Sequence, residues 1–287
     1  MSAAQEIENI QKIGMITGGG DLPRQILSYC DEHDIEVLLV GFEGQTDKET
    51  VQGRNVIWTG LGEAGKIMKA FKDNGVKDLV MAGKIQRPNL LSLKTDLKGA
   101  KIISKIGIKA LGDDGLLSAL RKELEQEGFT LHGADRFSKG LVAQEGALGK
   151  FEPQEDDWVS IHHGIKISQE IGRLDIGQSV IVQSGVVIGV EGIEGTDALI
   201  ERCKPLLAGG ARAFLVKTCK PQQDKDLDLP TIGTNTVTKA YDCGLSGIVI
   251  HAENSIVLNT KNVAKKADQY KIFVYGFKLE ALTSNEV

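Results

Sequence analysis

Short β-rich runs alternate with helical segments through the first half of this chain. Residues 13–17, 36–41, 55–59 and Asp78–Ala82 have the composition of strands, and residues 63–73 carry apolar side chains three and four positions apart, as one face of a helix does. Strands that alternate with helices form βαβ units around a mainly parallel sheet. The pattern therefore predicts an α/β domain with a Rossmann-like parallel sheet.

The second half is also α/β and follows a linker candidate. Residues 151–157 are acidic, contain Pro153 and lack periodicity, which is typical of a linker. After the linker, the sequence predicts a helix over 158–174 and a hairpin of strands at Ser179–Gln183 and 186–191. Strands and helices then alternate over 196–250, beginning with a helix at 196–208. In the first half, residues 90–111 are also predicted as a helix. We predict an N-terminal Rossmann-like domain over 11–148, a linker over 149–157 and a C-terminal α/β domain over 158–280, since 287 residues suit two domains.

Charge and composition exclude several classes of protein. The chain has 34 Lys and Arg residues against 39 Asp and Glu, a net charge of −5 and no basic run, so nothing in it favours nucleic-acid binding. Its most apolar stretch, residues 180–190, is shorter than the roughly 20 residues of a membrane span, and its N-terminus lacks the pattern of a signal peptide. Four separated cysteines without a CxxC pair favour neither disulfides nor zinc. We therefore expect a cytoplasmic protein.

Residues 60–65 read Gly-Leu-Gly-Glu-Ala-Gly, a dinucleotide-binding pattern between a predicted strand and a predicted helix. The pattern follows the third strand instead of the first, and about 20 residues on, where a ribose-binding acid is expected, the chain reads Ala-Gly-Lys. A nicotinamide-dependent oxidoreductase using Gly60, Gly62 and Gly65 is therefore an alternative hypothesis. A non-enzymatic module that binds a nucleotide or a lipid is another. A chance match is the simpler explanation in a chain with 34 glycines.

Two other loops follow predicted strands at the edge where parallel sheets bind ligands. The loop at 18–23 opens a helix whose backbone N–H groups suit a phosphate, or it is only a tight turn. The loop at 83–88 offers two cations to a diphosphate, or it is only solvated. The residues concerned are Gly19, Gly20, Leu22 and Pro23 in the first loop, and Lys84 and Arg87 in the second. Asp113 and Asp114 present a similar choice, between capping a helix and facing a metal.

Two acidic segments carry the strongest chemical signal. They contain Glu191, Glu194 and Asp197 after a predicted strand, and Asp224, Asp226 and Asp228 in a polar loop. Hard cations such as Mg²⁺ take oxygen ligands, usually one or two carboxylates together with substrate phosphate. Each segment alone is explained as a solvated loop, but the two together, beside Lys217 and Lys220, favour a metal–phosphate site. No residue pattern offers a side-chain nucleophile, so direct attack by water is the simpler chemistry.

Six segments, read in order, resemble one family. They are residues 18–23, 83–88, 112–117, 174–178, 191–197 and 217–233, which span nearly the whole chain. The most specific are the Glu-Gly-Ile-Glu-Gly-Thr-Asp string at 191–197 and the string at 223–233, which contains Gln-Asp and Asp-Leu-Pro-Thr-Ile-Gly. They resemble the LpxI-type, metal-dependent UDP-2,3-diacylglucosamine pyrophosphatases of lipid A biosynthesis.

The resemblance implies a two-domain hydrolase with its active site in the cleft between the domains and the reacting carboxylates in the C-terminal domain. Its substrate would be a lipid-linked UDP-sugar, UDP-2,3-diacylglucosamine, cleaved to UMP and 2,3-diacylglucosamine 1-phosphate. Water would attack the uridine-linked phosphorus with the help of Mg²⁺, or of Mn²⁺ or Co²⁺. Peripheral contact with the cytoplasmic face of the inner membrane and assembly into a homo-oligomer are left open.

The motifs and the resemblance together assign expected roles to individual residues. Asp224 and Asp228 are expected to be catalytic. The expected metal ligands are Asp224, Glu194, Asp197 and Glu191. The expected substrate contacts are Gly19, Gly20, Leu22, Pro23, Lys84, Arg87, Asp113, Asp114, Thr196, Lys217, Lys220, Gln223 and Thr231. Asp226 departs from the family pattern because a basic residue is expected there, and Lys225 is the alternative cation.

Overall fold

The chain forms two units. The computed structural model describes residues 10–86, 93–106, 113–137 and 140–279. The first unit contains the described residues before Gly140 together with the segment Asp224–Asp228, and the second contains Gly140–Gln223 and the residues from Leu229 onward. The boundary between the two units lies before the predicted linker at 149–157. Residues 146 and 147 already pair with a strand of the second unit's sheet.

The first unit is built on a five-stranded parallel sheet. Its strands are β1 (Lys12–Thr17), β2 (Glu36–Phe42), β3 (Val56–Thr59), β4 (Asp78–Ala82) and β5 (Thr130–His132), in the spatial order β3-β2-β1-β4-β5. Its helices are α1 (Asp21–Glu32), α2 (Lys48–Val51), α3 (Ala64–Asp73), α4 (Leu97–Ile106) and α5 (Asp113–Gln126), and a 3₁₀ turn covers Ala134–Phe137. This confirms the predicted parallel α/β architecture.

Apolar side chains cover both faces of this sheet. Strand side chains alternate between faces, and accordingly Leu38 and Val40 belong to one apolar cluster while Leu39 belongs to another. The first cluster includes Phe71 from α3, and the second includes Ile26 from α1. A sheet buried on both faces explains why its strands read as nearly continuous apolar runs.

Helix α4 is shorter than the sequence predicts. The described residues 93–96 are not helical, and α4 begins at Leu97 instead of at residue 90. The Asp96 carboxylate accepts the backbone N–H of Gly99 at 2.7 Å, which is the hydrogen bond of an N-terminal helix cap. The remaining parts of the predicted helix, at 90–92 and 107–111, lie outside the described residues.

The second unit contains a six-stranded mixed sheet in the order β6-β13-β11-β9-β7-β8 and a two-stranded ladder of β10 and β12. The strands are β6 (Gly146–Ala147), β7 (Ser179–Gln183), β8 (Val186–Val190), β9 (Ala213–Lys217), β10 (Thr231–Ile232), β11 (Gly247–His251), β12 (Ile256–Val257) and β13 (Phe273–Phe277). The helices are α6 (Asp157–Arg173), α7 (Thr196–Cys203), α8 (Thr234–Cys243) and α9 (Thr260–Tyr270). Strands β9, β11 and β13 are parallel, while β7 runs antiparallel to both β8 and β9.

Two details of the second unit differ from the sequence analysis. Helix α7 ends at Cys203, not at residue 208, and a 3₁₀ turn with Pro205 follows. Proline has no backbone N–H with which to continue the hydrogen bonds of the α-helix. Helix α9 and strand β13 are not predicted. The hydrogen bond from Asn262 N–H to the Asn259 side chain marks the start of α9. None of the helices in the described part of the chain is long and apolar enough to cross a membrane.

Candidate active site

Two of the predicted ligand loops meet at one edge of the first sheet. Strand β1 pairs with β2 on one side and β4 on the other, which makes the loops after β1 and β4 neighbours at a topological switch point. Gly19 N–H donates to the Lys84 carbonyl at 2.9 Å, and Lys84 N–H donates to the Gly19 carbonyl at 2.8 Å. A Cβ on Gly18 would lie 2.4 Å from the Lys84 carbonyl oxygen, so this bridge requires glycine there. The structure thus brings the two loops together, with Leu22 and Pro23 in the first turn of α1.

The backbone donors of the first loop are used within the protein. The N–H groups of Gly18, Gly19 and Gly20 donate in turn to the Ala82 carbonyl, the Lys84 carbonyl and an Asp47 carboxylate oxygen. The Asp47 carboxylate also places negative charge at the start of α1, where a bound phosphate would otherwise be favoured. Of the two interpretations of this loop, the tight turn agrees better with the geometry. The Lys84 side chain is exposed. Its role as a substrate contact stays a prediction.

The glycines at 60–65 pack against the chain's own backbone. A Cβ on Gly62 would lie 2.2 Å from the Lys94 carbonyl oxygen, and a Cβ on Gly99 would lie 2.0 Å from the Gly62 carbonyl oxygen. In a dinucleotide site the corresponding approach is made by the pyrophosphate. The protein therefore fills the space that a nicotinamide cofactor would need. A nearby cavity of about 380 Å³, lined in part by Trp58, Gly60 and Glu63, contains none of the residues predicted for the hydrolase site.

The predicted catalytic carboxylate Asp224 is held by an arginine of the first unit. Arg121 lies on α5, and its Nη1 donates to both oxygens of Asp224 at 2.5 and 2.6 Å. Its Nε donates to Glu125 at 2.8 Å. Burial alone would lower the pKa of Arg121, but the hydrogen bonds to Glu125 and Asp224 raise it above its ordinary value. The Asp224 carboxylate is therefore fixed in one orientation by a permanent cation.

Asp226 lies between two arginines. Its carboxylate is 3.4 Å from Arg121 Nη2 and 3.3 Å from Arg136 Nη2. Its backbone N–H donates to Asp224 Oδ1 at 3.1 Å, which closes a local turn. Burial, and to a smaller degree the charge of Asp226, raise the pKa of the neighbouring Asp135.

Leu227 anchors the same segment. It is 8% exposed and belongs to the apolar cluster that contains Phe71 of α3. The backbone N–H groups of Leu227 and Asp228 both donate to the Asp224 carbonyl, at 3.0 and 3.1 Å. The side chain of Asp228, the second predicted catalytic residue, is exposed. The segment Asp224–Asp228 is therefore a compact turn held by one apolar side chain and two arginines.

In the second unit, a chain of hydrogen bonds joins the buried side chains of Glu191 and Lys217 through the half-buried Thr196. Lys217 Nζ donates to Thr196 Oγ1 at 2.9 Å, and the Thr196 hydroxyl donates to Glu191 Oε1 at 2.7 Å. The other Glu191 oxygen accepts the Gln178 backbone N–H at 3.1 Å. Strands β8 and β9 both end at this place, since Val190 and Lys217 pair with neighbouring residues of β7. The structure thus brings together three of the predicted site residues.

Glu194 and Asp197 have partners of their own. Glu194 Oε1 accepts Arg202 Nε at 3.0 Å, and hydrogen bonds from backbone N–H groups and Arg202 lower the pKa of Glu194. Asp197 lies 3.6 Å from Lys239 Nζ. Both carboxylates are therefore neutralised by cations of the same unit.

The remaining predicted contacts are dispersed. Lys220 Nζ donates to Asp175 at 2.5 Å, the buried Gln223 accepts the Lys220 backbone N–H at 3.1 Å, and the Thr231 hydroxyl donates to the Leu229 carbonyl at 2.9 Å. Arg87 lies outside the described residues, as do the side chains of Asp113 and Asp114 at the start of α5. Their roles stay predictions.

The carboxylates predicted as metal ligands do not form a ligand set within either unit. Among the described residues, no group of three or more His, Cys, Asp and Glu side chains is placed to hold a metal ion. The oxygens of Asp224, Glu191 and Glu194 accept hydrogen bonds from protein donors. These residues do not fit a metal in this arrangement, so we assign no reaction step to one.

Comparison with known proteins identifies the family. Residues 12–141 match the model of the LpxI N-terminal domain, and residues 144–275 match the model of the LpxI C-terminal domain. The chain belongs to the LpxI family. It is also similar to the UDP-2,3-diacylglucosamine pyrophosphatase LpxI of Caulobacter vibrioides, with 36% identity over 276 residues that cover 93% of this chain and 98% of that protein. The predicted resemblance is confirmed.

Sequence reasoning missed the two arginines that hold the Asp224 segment in this LpxI chain. Arg136 follows strand β5 closely, and the carboxyl ends of parallel strands are where ligand-binding side chains gather, so that signal was present. Arg121 carries no such signal, because it lies in the middle of α5 and meets Asp224 across 103 residues of sequence. The acidic Asp226, where a basic residue was expected, is matched by both arginines.

Proposed function

We propose that this LpxI-family chain hydrolyses the diphosphate of UDP-2,3-diacylglucosamine to UMP and 2,3-diacylglucosamine 1-phosphate, a step of lipid A biosynthesis. The observation that supports it most is the similarity to the Caulobacter vibrioides pyrophosphatase, which covers 93% of this chain. The match of both family models supports the same activity for both units together.

The proposed chemistry is direct attack of water on the uridine-linked phosphorus. A bond forms between the water oxygen and that phosphorus, and the bridging P–O bond breaks, so that its electron pair leaves on the lipid 1-phosphate. The water proton passes to Asp224, since each oxygen of a carboxylate held by an arginine keeps lone pairs for a further hydrogen bond. Arg121 orients this carboxylate through its two bonds to Asp224, and general bases require such orientation.

Dependence on Mg²⁺, or on Mn²⁺ or Co²⁺, is a proposal that rests on the family resemblance and not on the arrangement of the described carboxylates. Such a cation would neutralise charge on the diphosphate. Chelation with EDTA should abolish turnover, and added Mg²⁺ should restore it. Full turnover after exhaustive chelation would contradict this proposal while leaving the hydrolysis itself intact.

The test of the proposed function is UMP release from a panel of UDP-sugars by the purified protein. UDP-2,3-diacylglucosamine should be hydrolysed and UDP-N-acetylglucosamine should not. In water enriched in ¹⁸O, the label should appear in UMP, because attack falls on the uridine-linked phosphorus. Label in the lipid 1-phosphate would place the attack on the other phosphorus, and the absence of UMP would refute the proposed activity.

Contact with a membrane surface is a separate proposal. The proposed substrate carries two acyl chains, so it is expected to reside in a bilayer and the protein must reach it there. The protein should sediment with vesicles that contain the substrate, and it should not sediment with vesicles of neutral lipid alone.

Assembly into a homo-oligomer is a further proposal, which the sequence left open. Size-exclusion chromatography with light scattering tests it.

A further inference from the structure

Lys217 is a buried cation whose amine donates to a neutral hydroxyl. It ends strand β9 and is 7% exposed. Its amine donates to the Thr196 hydroxyl at 2.9 Å, and in the described part of the chain no carboxylate forms an ion pair with it. Lysine is almost never buried unless it is paired, because taking an isolated ammonium out of water is costly. The Glu191 carboxylate reaches Lys217 only through the Thr196 hydroxyl, so an anionic ligand that accepts directly from the ammonium would complete this arrangement.

The hydrogen bonds around Thr196 fix the direction of each donor. A hydroxyl has one proton, and Thr196 gives its proton to Glu191, so the lone pairs of its oxygen accept from Lys217. The ammonium has three N–H groups, of which Thr196 takes one. Glu191 is 6% exposed and is itself fixed by the Gln178 backbone N–H. Glu191 thus orients Thr196, and Thr196 orients the Lys217 amine.

The N-terminus of helix α7 lies at the residue that carries this hydroxyl. Helix α7 starts at Thr196, and its N-cap, Gly195, makes no side-chain cap hydrogen bond. The unpaired N–H groups of a helix N-terminus favour anions. Asp197 in the first turn opposes an anion, but its charge lies beside Lys239. The buried ammonium and the helix N-terminus therefore favour the same ligand, a tetrahedral anion that accepts several hydrogen bonds.

We propose that Lys217 binds a phosphoryl group, and that Glu191 and Thr196 are positioning residues for its amine instead of metal ligands or direct substrate contacts. The identification of this phosphoryl group as one of the two in the UDP-sugar diphosphate rests on the proposed function. The phosphate site itself does not, because it can be measured with ligands that the protein does not turn over.

The first experiment measures binding of inorganic pyrophosphate and UMP by isothermal titration calorimetry, without added metal. Lys217→Met should weaken pyrophosphate binding by about 10- to 100-fold, the range for a hydrogen bond to a charged group. Thr196→Val should weaken it less, and Thr196→Ser, which keeps the hydroxyl, should restore it. Lys166→Met, which removes an exposed lysine on α6, is the matched control and should bind as the wild type does.

Thermal unfolding separates this role from a structural one. Replacing a buried ammonium with the apolar side chain of methionine should leave the melting temperature unchanged or raise it. Weaker binding in a protein that is at least as stable supports the proposal. A large drop in melting temperature together with wild-type pyrophosphate binding would show that Lys217 is structural.

The second experiment concerns Glu191. Glu191→Gln keeps a hydrogen-bond acceptor for Thr196 and removes the negative charge. It should retain most of the pyrophosphate affinity and leave the Mg²⁺ concentration for half-maximal UMP release unchanged. A tenfold higher Mg²⁺ requirement would make Glu191 a metal ligand and overturn its positioning role. If the wild-type protein binds pyrophosphate but releases no UMP, the proposed function fails and the phosphate site stands.

Discussion

The carboxylates that the sequence marks as chemical groups meet different partners in the folded chain. Asp224 is held by a guanidinium, which is permanently charged and planar, whereas Glu191 is held by a hydroxyl and a backbone N–H. Arg121 contacts both oxygens of Asp224 through Nη1, and its Nη2 lies near Asp226. Asp224 is therefore oriented for chemistry, and Glu191 is oriented to hold a neighbour.

At the residue scale we first predict the effect of Asp224→Asn. The amide keeps the size of the side chain but no longer accepts a proton from water, so kcat should fall by about 10²- to 10⁴-fold with little change in KM. Initial rates of UMP release check this. Asp226→Asn is the control within the same segment and should have a milder effect on kcat. Similar rates for the wild type and Asp224→Asn would exclude Asp224 as the general base.

Replacement of Arg121 is the second prediction. Arg121→Lys keeps the charge but not the planar fork, and Arg121→Gln removes both, so kcat should decrease in the order wild type, Lys variant, Gln variant. KM should change little if Arg121 acts through Asp224. A raised KM with unchanged kcat would instead mean that Arg121 binds the substrate directly. Melting temperatures show whether either variant simply loses its fold.

At the scale of elements, the loop between β3 and α3 is shaped by close backbone packing. Gly62 lies against the carbonyl of Lys94, and Asp96 caps helix α4 directly after this contact. The backbone N–H of Gly60 donates to Glu63 at 2.8 Å, and this bond contributes most to lowering the pKa of Glu63 to about 2. The glycine pattern therefore serves the packing of two elements.

The third prediction compares two glycines of this loop. A Cβ at Gly62 would lie 2.2 Å from a backbone oxygen, whereas a Cβ at Gly60 would meet nothing closer than 3.5 Å. Gly62→Ala should therefore lower the free energy of unfolding by about 1–3 kcal/mol, the usual range for overpacking. Gly60→Ala should be close to neutral. Urea unfolding of both variants is the measurement, and equal stabilities would contradict the packing explanation.

At the scale of the whole molecule, neither unit is a continuous stretch of chain. The segment Asp224–Asp228 belongs to the first unit although the residues on both sides of it belong to the second. Leu227 completes an apolar cluster of the first unit, so that core includes a residue far along the chain. A fragment that ends before residue 140 would lack this residue and the two aspartates, Asp224 and Asp226, that contact Arg121.

The fourth prediction concerns the pH dependence of stability. Burial, and to a smaller degree the charge of Asp31, raise the pKa of Cys30 from 9.0 to about 12, and burial also raises the pKa of Cys203 and Cys243. Above pH 9 the unfolded chain releases thiol protons that the folded chain retains, so the free energy of unfolding should fall as pH rises. The slope approaches about 1.4 kcal/mol per pH unit for each such thiol. Urea unfolding from about pH 8 to pH 10.5 should show a shallower slope for Cys30→Ala, and an unchanged slope would contradict this.

The sequence alone determined many, though not all, of the local elements of this protein. Strands Asp78–Ala82 and Ser179–Gln183 have the predicted bounds, because alternation, apolar runs and turn residues act over a few neighbouring positions. The family could also be recognised from short strings such as residues 191–197. The start of α4 was within reach too, since Asp96 is a local capping signal.

Only the tertiary structure decided which charges meet. The bond between Arg121 and Asp224 joins residues 103 positions apart, and the bond between Lys217 and Thr196 joins residues 21 positions apart. Side-chain patterns carry no information on such distances, because the packing of helices and strands sets them after the elements form. For the same reason, the sequence grouped Asp224 with Glu191 and Glu194 as metal ligands. In the folded chain a guanidinium, a hydroxyl and backbone N–H groups occupy their oxygens.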